Sequence, residues 1–246
     1  MLVLLPPSET KAEGGAGAPL DLDLLSFPEL NPVRRKLADA LVDLAGDIPA
    51  SIKALGLSAK QDAEVARNAV LFTAPTMPAL HRYTGVLYDA LGFGSLTRPQ
   101  QRRAGARLAV ASALFGVVRA TDPIPAYRLS GGSVLPGVGP LQALWRPVLE
   151  PLVGELDELV VDLRSTTYAH LARLPGAITV RVVSESGGQR TTVSHFNKAT
   201  KGQLARALAL APREPATMAA VLRVASAAGL VAERTGDTSF DLVTDL

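Results

Sequence analysis

The chain has 246 residues, 48% of them apolar, and its 25 basic and 23 acidic side chains leave a formal charge of +2. That is enough apolar material for a full core, and too little net charge for a global field, so an anionic partner must be held by a local patch. No cysteine is present, which excludes disulfides, thiolate metal sites and a thiol nucleophile.

The opening MLVLLPPSETK is apolar for five residues and lacks a basic leader. Neither a signal peptide nor a membrane span is expected, and the cytoplasm is the default location. Met1 to Leu5 reads as a short buried strand stopped by Pro6-Pro7, and Pro6 to Pro19 as a loop. From Pro32 to Ala45, Val33, Leu37, Leu41 and Leu44 recur at helical spacing between charges, predicting an amphipathic helix. Ser58 is the expected N-cap of a helix reaching about Phe72. Thr76 is expected to cap one further helix, closed by Gly92 as a C′ residue.

Arg107 to Gly116 reads as a buried strand, followed by a Pro- and Gly-rich loop up to Gly139. Pro140 to Gly154 is helical around Trp145, with Pro147 and Pro151 predicting a short or kinked element. ELVVDLRS is the clearest strand, with Ser165 capping the helix after it. Gly187-Gly188 lies between two strand-like runs as a hairpin turn. Asn197 is expected to cap a helix through Leu210 and Pro215 to open the next, ending at Gly229. The tail reads as a second hairpin turning at Asp237. Helices and strands alternate early and hairpins gather late. This predicts a mixed α/β (α+β) fold, one domain over residues 1–246 with a mixed sheet surrounded by helices.

Four segments carry candidate chemistry. The loop leaving the first strand places Ser8, Thr10 and Lys11 where open α/β sheets hold ligands, a set suited to a phosphate or another anion; the alternative is a Pro-stiffened loop with one solvated lysine. In ALFGVVRATDPIPAYRLSGG, Arg119, Asp122, Tyr127 and Arg128 fall within ten residues. Two guanidiniums there suit a carboxylate or phosphate, with Tyr127 or Asp122 as weak candidates for an acid or base. The alternative is an Arg119–Asp122 ion pair fixing the loop while Tyr127 packs on the core.

In SHFNKATKG, Lys198 and Lys201 are expected on the first turn of a helix, where exposed amides would reinforce an anion site. In the helix–LGLS–helix stretch from about residue 37 to 70, Gly56 and Ser58 are expected in a tight hairpin whose amides face a DNA phosphate. Lys53 and Lys60 stand beside it. A plain helix connection is the alternative there. His81, His170 and His195 are isolated, and no HExxH, P-loop, dinucleotide glycine fingerprint or nucleophile elbow is present. No metal and no cofactor are expected. The last helix and hairpin follow the order of a winged helix, yet that helix offers only Arg223 as a base-reading cation.

Six segments in order, PPSETK, YTGVLYDAL from Tyr83, FGVVRATDPIPAYRLSGG from Phe115, LQALW, VVDLRSTTYAHL and SHFNKATKG, resemble the YaaA family of bacterial peroxide-stress proteins. The resemblance implies a mixed α/β fold with a positively charged cleft and a helix-hairpin-helix element. It implies binding of double-stranded DNA and protection against peroxide, linked to keeping intracellular iron low. Lys201 stands where the family pattern has arginine, so the charge is kept without a bidentate fork. A small phosphorylated or nucleotide-like ligand in the same cleft, acted on by an enzyme, is the other reading. It expects Ser8, Lys11, Arg119, Tyr127, Arg128 and Lys198 in one pocket. No membrane partner is expected, and the sequence gives no oligomeric state.

Overall fold

The computed structural model describes residues 1–186, 189–191 and 194–245. β1 (Leu2–Leu5) is buried throughout, as a continuous apolar run is when both its faces are covered. Three helices follow, α1 (Asn31–Leu44), α2 (Ile48–Leu55) and α3 (Asp62–Ala69). The two-residue β2 (Met77–Pro78) precedes α4 (Ala79–Arg82), α5 (Val86–Leu91) and α6 (Arg98–Arg107). Next come β3 (Leu108–Ser112), β4 (Gly116–Arg119) and the short β5 (Pro123–Ile124), β6 (Val134–Leu135) and β7 (Gly139–Pro140). They lead into α7 (Leu141–Gly154), β8 (Val160–Asp162) and α8 (Thr166–Leu171). The chain continues with β9 (Ile178–Ser186), β10 (Gln189–Thr191), α9 (Ser194–Leu210), α10 (Met218–Ala227), β11 (Val231–Arg234) and β12 (Ser239–Asp245).

The main sheet runs β11–β12–β9–β8–β1–β3–β4, with β10 also paired to β9. Its five inner strands are parallel, while β4, β10 and β11 join antiparallel, giving a mixed sheet. One contiguous apolar core packs helices and sheet together. The connection after β1 leads toward β3, and the connection after β8 leads away toward β9. Their adjacent carboxyl ends therefore part at a topological switch point, where sheets of this kind open a crevice. No helix among the described residues is long and apolar enough to cross a membrane.

Several local expectations give way to tertiary packing. The helix expected from Thr76 is divided into α4 and α5. Thr76 caps nothing there; its hydroxyl donates to the Ala18 carbonyl oxygen at 2.7 Å. The strand expected over 107–116 ends at Ser112, whose Oγ accepts the Phe115 amide at 3.0 Å and turns the chain into β4. α7 runs its full fourteen residues through Pro147 and Pro151. Leu141, Trp145, Leu149 and Val153 bury one face of it, and both prolines are exposed, where water serves the freed carbonyls. α9 begins at Ser194 instead of being capped by Asn197, and α10 is capped by Thr217 instead of opened by Pro215.

α6 is polar on nearly every side, with Ala104 and Arg107 buried, so apolar periodicity does not reveal it. Its one sequence signal is the Thr97/Gln100 capping box. The Gly187-Gly188 turn lies outside the described residues, although the strands flanking it pair antiparallel. The tail hairpin forms between β11 and β12.

Candidate functional site

The loop after β1 is held down by hydrogen bonds at many points. Lys11 forms an antiparallel bridge with Tyr83, and the Ala12 amide donates to the Arg82 carbonyl oxygen at 2.8 Å. Arg82 is fully buried and donates to the carbonyl oxygens of Ala12, Gly14, Pro75 and Ile124. Ser8 Oγ donates to the Thr10 carbonyl oxygen at 2.6 Å and accepts the Thr84 amide at 3.1 Å. Thr84 Oγ1 lies 3.2 Å from Thr10 Oγ1.

These contacts fix the Lys11 side chain, which is 8% exposed. Its Nζ lies 4.2 Å from the centre of the Tyr127 ring and 5.5 Å from that of Tyr83. It donates to the Ser8 carbonyl oxygen at 3.2 Å and reaches that of Glu9 at 3.5 Å. Burial lowers its pKa from an ordinary 10.5 to about 8, with the Glu9 carboxylate opposing the shift and Arg128 adding to it.

A chain of hydroxyls lies beneath the amine. The Tyr127 hydroxyl is 2.8 Å from that of Tyr83 and 2.8 Å from Ser112 Oγ, at the carboxyl end of β3. Burial pushes Tyr83 up to about 12 and Tyr127 well above the ordinary phenol value, so both stay protonated. Tyr88 stacks on Tyr83 with ring centres 5.6 Å apart and donates to the Pro6 carbonyl oxygen at 2.8 Å. Tyr168, raised mainly by burial, accepts the Gly131 amide at 3.2 Å. All four tyrosines of the chain are thus buried around the loop and its neighbours.

Arg128 joins this group. Its Nη1 pairs with Glu9 at 3.1 Å, and its Nε is buried without a partner. The Asn68 side chain of α3 makes a two-way hydrogen bond with the Arg128 backbone, at 2.8 and 2.9 Å. Across the switch point, Lys201 donates to the carbonyl oxygens of Leu163 and Arg164 at 3.0 and 3.2 Å. Burial lowers its pKa, while Asp162 opposes the shift. Asp162 is itself engaged by Arg164 through two guanidinium nitrogens, at 2.9 and 2.8 Å.

The structure therefore gathers Ser8, Thr10, Lys11, Tyr127 and Arg128, with Lys201 at the neighbouring strand end. It does not bring Arg119 or Asp122 to them. Arg119 pairs with Ala109, at the amino end of β3, and its guanidinium binds Glu158 at 3.0 Å and the Ala106 carbonyl oxygen. Asp122 is a brace: its carboxylate accepts the Ser26 amide, the Ser26 hydroxyl and the Arg119 amide at 3.0, 2.7 and 2.9 Å. The position expected for Lys198 and Lys201 also changes. Because α9 starts at Ser194, both stand beyond its first turn, away from the terminal amides and the strongest part of the helix dipole. Lys198 is exposed.

The α2–α3 pair is a helix–tight turn–helix. Gly56 closes α2 at φ 62°, a left-handed geometry that favours glycine, and Leu57 tucks its side chain into the core. The Gly56 and Leu57 amides both donate to the Ile52 carbonyl oxygen, and the Ser58 amide donates to Gln61 Oε1 at 3.0 Å. The LGLS amides expected to face a phosphate are thus occupied internally. Lys53 and Lys60 remain exposed on either side of the turn. An open groove of about 640 Å³ runs beside α2, lined by Lys53, Leu55, Gly56, Ser133 and Val134 among others.

Tyr83, Ser112, Asn68 and Arg82 are site residues that the sequence reading left unassigned. Tyr83 had a signal, as the first residue of YTGVLYDAL, whereas Asn68 and Ser112 lie in ordinary helix and strand patterns.

Comparison with known proteins places these features in context. A family described as "Peroxide stress protein YaaA" matches residues 1–230. A UPF0246 protein of Corynebacterium efficiens is 52% identical over 238 residues, covering 95% of both chains. A UPF0246 protein of Streptomyces coelicolor is 47% identical, covering 91% of this chain and 89% of its own. An uncharacterized protein of Campylobacter jejuni is 27% identical over 83% and 82% of the two chains.

Proposed function

Because the chain belongs to the YaaA peroxide-stress family, we propose that it serves the peroxide response in the cytoplasm as a DNA-binding protein. It grips the phosphate backbone of double-stranded DNA and so limits damage linked to intracellular iron. The observation that carries this reading is the helix–tight turn–helix of α2 and α3, read here as a helix-hairpin-helix, with Lys53 and Lys60 exposed on both sides of the turn. Contacts of this kind hold a duplex without reading its sequence. Lys198, exposed on α9, supplies a third cation.

The test is a salt-series titration with random duplex DNA. Three lysine–phosphate contacts give a slope of about −0.9 each in log K against log salt, so affinity falls about 40-fold between 50 and 200 mM. Lys53→Ala/Lys60→Ala leaves one contact, and the same salt step then weakens binding only about 3-fold. Affinity insensitive to salt, or an unchanged slope in the double variant, refutes the reading.

A second reading is favoured by the burial of Lys11 and Tyr127, which a duplex cannot reach without opening the loop. In it, a small phosphorylated or nucleotide-like molecule binds at the crevice through Ser8, Thr10, Lys11, Arg128 and Lys201, and the chain acts on it as an enzyme. A nucleotide screen by thermal shift tests it: stabilisation lost in Arg128→Ala supports it, and no shift from any nucleotide removes it.

A further inference from the structure

α6 is more basic than the fold requires. It carries four arginines in ten residues and no acidic side chain. Arg107 turns inward to the carbonyl oxygens of Leu208, Ala209 and Ala211, whereas Arg98, Arg102 and Arg103 are exposed. Like charges four apart on a helix repel, and Arg98 at its start opposes the helix dipole. No carboxylate among the described residues pairs with these three or with Arg206 of α9. Glu214 is taken by the chain's amino group and Arg107.

An open groove of about 460 Å³ lies beside these cations, between α9 and the turn from α10 into β11, lined by Arg206, Ala207, Leu210, Ala228 and Leu230 among others. Arg103 reaches its wall by donating to the Leu210 carbonyl oxygen at 3.0 Å. Arg206 is held in place by the carbonyl oxygens of Leu91 and Gly92, at 2.7 and 3.1 Å. A phosphate backbone has no apolar side chain to fill such a groove. Guanidiniums around an apolar depression suit an apolar side chain flanked by carboxylates.

The chain presents that shape itself. Leu22–Leu24 form one 3₁₀ turn capped by Asp21, whose carboxylate accepts the Asp23 amide at 3.0 Å. Leu22 and Leu25 are buried, which turns Leu24 outward, and at 63% it is the most exposed large apolar side chain among the described residues. Asp21 and Asp23 flank it, exposed and without a lysine or arginine partner among the described residues. The turn is rigid: Asn31 donates to Asp23 at 3.2 Å, Ser26 is bound by Asp122, and the Phe27 ring lies 5.3 Å from the Arg119 guanidinium. Arg119 belongs to β4, so this turn stands at the β4 edge of the sheet, while the groove opens beside β11, the opposite edge strand.

We propose that Leu24, with Asp21 and Asp23, docks into the α9–α10 groove of a second copy of this chain. Leu24 packs against Leu210 and Leu230, and the two carboxylates face Arg103 and Arg206. Arg98 and Arg102 extend the field that draws the acidic turn in. Because the preformed turn loses little freedom, docking costs little entropy. Knob and groove at opposite edges make the contact head-to-tail, so each docked pair still offers one of each and assembly continues past a dimer. A contact of this size exchanges readily, as small interfaces do. The inference is independent of the DNA-binding reading, which uses the α2–α3 turn.

The experiment is sedimentation velocity of the nuclease-treated full chain over a concentration series, with two variants. Leu24→Asp removes the knob, and Ala207→Glu places a carboxylate in the groove while keeping a good helix former. Urea unfolding checks that both fold, and Arg103→Glu, at an exposed position, is a second groove variant. The average mass of the natural chain should rise past that of a dimer, and either variant alone should associate at least about tenfold more weakly. An equal mixture of Leu24→Asp and Ala207→Glu should form a dimer and nothing larger, since only one intact knob and one intact groove can meet. Salt raised from about 0.05 M to about 0.5 M should weaken association by screening the charges. A natural chain that stays monomeric up to about 1 mM overturns the proposal. So does association that depends on nucleic acid, that the folded variants keep, or that salt leaves unchanged. A variant mixture that remains monomeric or grows past a dimer overturns it as well.

Discussion

Replacing Lys11 by Met tests the central electrostatic feature of the site. Methionine keeps a long unbranched apolar stem and removes the charge. In the fold the ammonium has a pKa of about 8, against an ordinary 10.5, because its burial disfavours the charged form. Between these two values the unfolded chain holds a proton that the folded chain has released, so stability rises with pH through this window. Below pH 8 the fold bears the whole cost of a buried charge, about 3 kcal/mol. Lys11→Met should therefore be more stable than the natural chain at pH 7, by an amount approaching that figure. The gap should close by about 2 kcal/mol between pH 8 and pH 10. Urea unfolding followed by circular dichroism, run on both chains at pH 7, 8, 9 and 10, gives the difference directly. The buried tyrosines, with raised pKa values, lower stability above about pH 10 in both chains and cancel in the comparison. A gap that stays constant across this range, or a Met variant less stable at every pH, would refute the claim that Lys11 carries a costly buried charge.

Gly202→Ala should destabilise the fold by about 1–3 kcal/mol by overpacking, read as a lower urea midpoint. The added Cβ would press into the Leu87 carbonyl oxygen and lie 2.8 Å from the Ala90 Cβ, where α9 crosses α5. Asp122→Ala removes the acceptor of three hydrogen bonds and should cost about 2–3 kcal/mol. Because that carboxylate braces Ser26 and Arg119, duplex affinity at constant salt should not change, and a loss of affinity in a still-folded variant would place Asp122 in the binding face. Tyr127→Phe takes the shared partner from Tyr83 and Ser112 and should cost about 1–2 kcal/mol, measurable in the same unfolding assay. Lys53→Ala/Lys60→Ala should leave stability within about 0.5 kcal/mol of the natural chain, as exposed surface changes do, while flattening the salt dependence of DNA binding.

Features whose cause is local could be read in the sequence. The apolar run from Met1 to Leu5, stopped by Pro6-Pro7, reads as a short buried strand, and Gly92 closes α5 in the left-handed geometry that glycine adopts freely. Ser58 caps the turn into α3 because its partner Gln61 stands three residues on. Ser8, Thr10 and Lys11 were expected at the carboxyl end of the first strand because a polar loop after a buried strand has that position in any open α/β sheet. The six ordered segments carried the family.

Tertiary packing decided the rest. The separation of Arg119 and Asp122 from Tyr127 and Arg128 comes from an antiparallel pairing that carries Arg119 to the amino end of β3, which spacing in sequence does not encode. Likewise α6 has no apolar stripe to announce it, and the prolines of α7 are harmless only because they face solvent. The cage of Tyr83, Ser112 and Tyr127 assembles from three segments that share no local pattern. A lysine in PPSETK is an ordinary solvated cation until those rings close over it, because desolvation belongs to the packed interior and not to the residue.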